Sequence, residues 1–86
     1  MDERIMEAID ASCCYERLYM TRRNILALQE TSSDTIGFDF TIFSLQDGRE
    51  IDGGVYEDDG FDIDAFLDWT AREFLGCKRE EIIRLQ

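Results

Sequence analysis

The run from Thr35 to Leu45 constrains this chain most. Ile36, Phe38, Phe40 and Ile42 alternate with Gly37, Asp39 and Thr41. Successive side chains of a strand point to opposite faces, so this period of two predicts a β-strand with one apolar face. Its β-branched and aromatic residues fit a pleated surface. Asp47-Gly48 follows, a dipeptide suited to a two-residue hairpin turn that needs positive φ. Arg49 to Tyr56 then returns antiparallel. A turn centred on Asp47-Gly48 sets Ile51 opposite Ser44, Gly53 opposite Ile42 and Val55 opposite Phe40. The apolar residues of both strands then share a face. The other face carries Asp39, Thr41, Glu50 and Asp52 with Phe43, Leu45 and Tyr56. A slip of one residue reverses that agreement. Gly53-Gly54 weakens the returning strand and is a natural place for a bulge.

An isolated hairpin is marginal in water, so the flanking segments must support it. Asp2 to Arg22 reads as helix. Ile5, Met6, Ile9, Cys13 and Met20 fall on one stripe at about 3.6 residues per turn. Asp2 and Glu3 begin it and Arg22-Arg23 end it, as the helix dipole favours. Tyr15, Leu18 and Tyr19 lie off the stripe, so the helix is covered on two sides or breaks near Ser12 to Cys14. Asn24 to Glu30 suits either more helix or a first strand. The strand is preferred, because it would support the hairpin, with Thr31-Ser32-Ser33-Asp34 as the turn between them.

After the loop Asp58-Asp59-Gly60, Asp62 is positioned to cap a helix with Asp64 in its first turn. Ile63, Phe66, Leu67, Thr70, Ala71 and Phe74 keep the spacing of one buried helical face. Gly76 is placed to stop it. Lys78 to Leu85 reads as a short final helix, with Ile82, Ile83 and Leu85 inward and a terminal strand as the alternative. The expected fold is α+β: an N-terminal helix, a small antiparallel sheet of two or three strands, then one long and one short C-terminal helix. Residues 1–86 form a single compact domain without repeats.

Eighty-six residues make a thin core, yet the 44% hydrophobic content is enough for a globule. The net charge is −11. Small soluble domains do well at about 2–8 in magnitude, and self-repulsion at this level opposes the compact state. Such a surface repels nucleic acid and anionic membrane and attracts basic proteins. Cys13, Cys14 and Cys77 are an odd set, with two adjacent, which suits a reducing compartment. The N-terminus is acidic and no apolar run approaches the roughly 20 residues of a membrane span. These features predict a cytoplasmic, soluble protein.

Catalytic and metal chemistry find little footing. Placing Gly60 as the sixth residue of a calcium loop puts Val55 first and Phe66 twelfth, where carboxylates are required. Histidine is absent, and Cys13-Cys14 lacks the spacing of a structural zinc site. No catalytic triad, nucleophile elbow or phosphate-cradling glycine loop is present. A carboxylate pair for glycoside chemistry would need a cleft that so small a domain rarely offers. No enzyme activity, cofactor or metal is expected. The bases are scattered, with Arg22-Arg23 and Lys78-Arg79 the only clusters.

The acids are not scattered. Glu57 to Asp68 alone carries six carboxylates and no base. The candidate partner-binding residues are Asp47, Glu50, Asp52, Glu57, Asp58, Asp59, Asp62, Asp64 and Asp68. Rigidly held carboxylates can imitate the phosphate field of duplex DNA, one charge per about 1.7 Å of axis. Trp69 joins the set because it leaves the Ile63/Phe66/Phe74 stripe and tryptophan is enriched at binding hot spots. Packing under the first helix or against a strand edge would equally explain it. Tyr56 and Phe61 are further candidate anchors.

In size, charge, helix-hairpin-helix order and the acids between Gln46 and Asp68, the chain resembles small acidic phage-encoded inhibitors of host defence. These are the anti-CRISPR and anti-restriction proteins, some of which mimic DNA. The resemblance rests on no sequence motif. It implies a non-enzymatic inhibitor in the host cytoplasm, monomeric or homodimeric. Such an inhibitor blocks the basic site of a nucleic-acid-binding nuclease or effector complex without touching nucleic acid. Two alternatives are an adaptor or assembly subunit that binds through the hairpin face of Phe43, Leu45 and Tyr56, and an immunity-type protein that neutralises a basic toxin.

Overall fold

The computed structural model describes residues 3, 7, 16–31, 36–57, 60 and 62–85. Five strands, β1 (Arg17–Met20), β2 (Asn24–Glu30), β3 (Gly37–Ser44), β4 (Glu50–Glu57) and β5 (Ile83–Arg84), form one sheet. Their spatial order is β4-β3-β2-β1-β5, and every pairing is antiparallel. Helix α1 (Ile63–Thr70) follows β4 and runs on through a π turn, Ala71–Leu75. A 3-10 turn, Arg79–Glu81, leads into β5.

The expected α+β arrangement is therefore overturned. The described residues are mostly sheet, with five strands rather than two or three, and after β4 they hold one helix rather than a long and a short one; Glu3 and Glu7 are also helical. The described elements begin with β1, so Arg17–Met20 is strand where a helix from Asp2 to Arg22 is expected. Of the rest of that helix, Glu3, Glu7, Glu16, Thr21 and Arg22 are described and the other residues are not, nor are residues 32–35 of the expected turn. Leu18 and Tyr19 supply the physical reason. They miss a helical stripe, yet in a strand they fall on opposite faces and both are buried.

β2 is the strand that the hairpin's need for support predicts. It lies between β1 and β3, and Ile25, Leu26, Ala27 and Leu28 are all buried. A strand covered on both faces reads as a continuous apolar run, which hides its period. The two faces carry separate cores. Tyr19, Leu26, Leu28, Phe38, Phe40 and Ile42 pack with Phe66, Leu67 and Ala71 of the helix. Leu18, Ile25, Ala27 and Phe43 form the second cluster, with Leu45 against it.

At the C-terminus the expected short helix is also overturned, and the terminal strand forms instead. Ile83 pairs with Met20, and the Leu85 N–H donates to the Leu18 carbonyl at 2.7 Å. Ile82 is buried and Ile83 exposed, an alternation that a helix with both inward cannot give.

The β3–β4 hairpin forms, but in another register. Among the described residues none other than glycine has positive φ, so Asp47 does not adopt the turn that needs it at both central positions. The Ser44 N–H instead donates to the Arg49 carbonyl at 2.8 Å, enclosing a four-residue loop that ends on Gly48 at φ 73°. Phe43 then pairs with Glu50 and Ile42 with Asp52, so Ile51 is a bulge. Beyond it Gly53 faces Thr41, Gly54 faces Phe40 and Tyr56 faces Phe38. The returning strand is thus one residue out of the expected phase. Ile51 and Val55 are 58% and 52% exposed rather than in the core.

Gly37, at φ 153°, lies where a Cβ would overlap the Tyr56 carbonyl oxygen. Gly37→Ala is expected to lower stability by about 2–4 kcal/mol. A urea titration checks this, and an unchanged midpoint would refute the close approach.

Candidate functional site

β4 is one edge of the sheet, bonded only to β3. Apart from half-buried Tyr56, all of its residues are exposed. An edge strand offers unpaired N–H and C=O groups to any extended chain. The opposite edge, β5, is only two residues long.

Pairing with β3 divides the β4 side chains between two faces. Asp52, Gly54 and Tyr56 lie opposite Ile42, Phe40 and Phe38, on the face that α1 covers. Glu50, Gly53, Val55 and Glu57 lie opposite Phe43, Thr41, Asp39 and Gly37, on the other face. The acids therefore flank the edge from both sides and do not form one flat field. Gly53 and Gly54, without side chains, leave a recess of about 330 Å³ bordered by Phe40, Glu50, Ile51 and Asp52. The Asp52 carboxylate accepts the Gly53 N–H at 2.8 Å.

The helix extends this acidic border. Asp62 caps α1 as its sequence position predicts, accepting the Ala65 N–H at 3.1 Å. Asp64 and Asp68, four residues apart, are both exposed. Asp62, Asp64 and Asp68 border a shallow depression with Arg79, which binds the Asp64 carboxylate at 3.3 Å. Asp47 lies in the hairpin loop. Its carboxylate accepts the Arg49 N–H at 3.0 Å and lies 3.8 Å from that guanidinium. Among the described residues, Asp47 and Asp64 are the members of the acidic set held in ion pairs. Both pairs are solvent-exposed and contribute little to stability. Asp58, Asp59 and Phe61 lie outside the described residues.

Trp69 is half-buried, with its ring 4.7 Å from Tyr56, 5.2 Å from Phe74 and 5.8 Å from Phe40. It closes the helix–sheet core beside the β4 edge. Phe43, a member of the expected adaptor face, is buried in the second core at 6% exposure, and Leu45 packs against it. Ile51 and Val55 are the apolar groups that β4 does expose. Sequence reasoning missed both, because the bulge that turns them outward has no signal beyond Gly53-Gly54.

The hairpin end also holds cations. Arg22 and Arg23 are exposed in the β1–β2 turn, and with Leu45, Ile51, Phe74 and Leu75 they border a recess of about 630 Å³. Cys77 is half-buried against the main core, and burial, then the Glu81 charge, push its thiol pKa up. A raised thiol pKa leaves less thiolate to react. Cys13 and Cys14 lie outside the described residues. Among the described residues, no three His, Cys, Asp or Glu side chains come together as a metal site. No described helix is long and apolar enough to cross a membrane. Comparison with protein-family models, curated proteins and solved structures gives no match.

Proposed function

We propose that this protein is a non-enzymatic binding module that occupies the basic, nucleic-acid-binding surface of a partner protein and so inhibits it. One observation carries the reading: an exposed edge strand with Glu50, Asp52 and Glu57 leads toward a helix that exposes Asp62 and Asp64 at its start and Asp68 in its last turn. Their carboxylates project from a rigid sheet and helix, so little side-chain or loop ordering opposes association. Charge of this sign steers a cationic partner and rejects nucleic acid itself. An immunity-type role against a basic toxin would use the same surface and differ only in the partner.

Affinity capture from a candidate host lysate tests the proposal. A basic nucleic-acid-binding protein is expected on the immobilised chain at about 50 mM salt and in the eluate at a few hundred millimolar. Duplex DNA should displace that protein competitively. Capture that ignores salt, or a captured partner that still binds DNA fully, would overturn the reading.

A further inference from the structure

We propose that the β4 edge from Asp52 to Glu57 takes an extended basic segment of its partner as an added strand, with a Lys or Arg side chain seated over the Gly53-Gly54 recess. This rests on the functional reading above and specifies the mode of contact.

Backbone direction is the first support. The Tyr56 carbonyl points toward β3, since a Cβ on Gly37 would overlap it. N–H and C=O directions alternate along a strand. Val55 and Glu57 therefore point theirs away from β3, toward the open edge. Gly53 falls in the same phase, and its N–H is held by the Asp52 carboxylate rather than by the sheet. The bulge at Ile51 interrupts the edge above Asp52, so the continuous docking segment begins there.

The recess is the second support. Its floor includes the buried Phe40 ring, and Glu50 and Asp52 lie at its rim. A long basic side chain can lay its aliphatic stem over the glycines and place its charge between those carboxylates. Val55 gives an apolar contact on the opposite face, and the Tyr56 and Trp69 rings border the helix-side face.

Charge decides between occupants. A second copy pairing about Gly53-Gly54 would set Glu50 against Glu57 twice, and each copy carries −11. Like charges directly opposite destabilise a ladder, whereas opposite charges stabilise it. Spacing decides further. Three carboxylates spread over a strand of roughly 25 Å are far sparser than phosphates, one per about 3.4 Å along each DNA strand. That spacing matches side chains across a β-ladder rather than a polynucleotide.

The test titrates the protein with an octapeptide of alternating arginine and valine. Trp69, the sole tryptophan, reports binding by fluorescence, and amide hydrogen exchange locates it. Exchange at Val55 and Glu57 is expected to slow at least about tenfold on saturation, as for amides newly bonded in a sheet. A glutamate–valine octapeptide should have no effect. Val55→Pro removes an outward N–H and should weaken binding at least about tenfold while leaving the urea midpoint in place. The same arginine–valine peptide, N-methylated at alternate residues, keeps its charge but cannot complete the ladder. It should also lose at least about tenfold, without any change to the protein's own fold. Salt-sensitive binding without β4 protection, and equal for the methylated peptide, would overturn strand addition while leaving the acidic-surface reading standing. Binding of neither basic peptide would overturn the docking mode, and lysate capture at low salt would judge the broader reading separately. Protection that grows with protein concentration alone would show a second copy on the edge and overturn the proposed occupant.

Discussion

Phe66→Ala is expected to remove a third or more of the stability of this protein. Phe66 has no exposed surface, and its ring lies 5.1 Å from Phe38, 5.5 Å from Phe40 and 5.4 Å from Tyr56. With Leu67 and Trp69 it joins α1 to the sheet, and it is the fully buried aromatic among them. Truncating a buried phenylalanine to alanine costs about 3–5 kcal/mol, part transfer and part cavity. A chain of 86 residues has a total of only about 4–13 kcal/mol to lose. The urea midpoint should fall by a third or more, and the near-ultraviolet signal of Trp69 should weaken with it. Phe74 supplies the contrast. It also touches Phe40 and Trp69, but it is 36% exposed. Phe74→Ala should therefore cost roughly half as much or less. Equal losses at the two positions would mean that the helix is not anchored through Phe66.

Phe66 was legible because local and tertiary signals agree at that position. The helical face from Ile63 to Ala71, the Asp62 cap and the Gly76 stop at φ 59° follow from spacing and turn chemistry, whereas Phe74, expected on that face, lies exposed in the π turn. The strand character of Asn24–Glu30 followed from an argument about support rather than from its pattern. The helix expected at Arg17–Met20 failed for a related reason. Four residues are too few to separate a helical period from a strand period, and only the misfit of Leu18 and Tyr19 hinted at the strand. The hairpin shows a third limit. Asp47-Gly48 marked the turn region, but a four-residue loop and one bulge, neither visible in the apolar pattern, decided the phase of β4. That phase determines which side chains the candidate site presents. Ile51 and Val55 came out, Tyr56 went in, and Asp52 and Glu57 took opposite faces. The composition of the acidic border was readable from the sequence. Its division around an open strand edge was not.

That division allows site charge to be separated from net charge. Replacing Asp52 and Glu57 together by lysine changes the charge by +4, and so does replacing Glu16 and Glu80. Glu16 precedes β1 and Glu80 precedes β5, on the side of the sheet away from β4. All four side chains are exposed, so neither pair should disturb the core. If the protein bound its basic partner through bulk charge, both variants would associate equally slowly. With the β4 edge as the contact, Asp52→Lys with Glu57→Lys should slow association about a hundredfold at about 50 mM salt. It should also speed dissociation, because lysines then face lysines or arginines across the ladder. Glu16→Lys with Glu80→Lys should change association only severalfold and leave dissociation unaltered, since distant charges steer the encounter but make no contact. At about 500 mM salt screening shortens to a few ångströms. The association rates of all three proteins should then converge, while the dissociation rate of the edge variant stays high. Stopped-flow or surface-binding kinetics with the captured partner reads these constants directly. Matching dissociation rates for the two variants would remove β4 from the interface and leave only a diffuse acidic attraction.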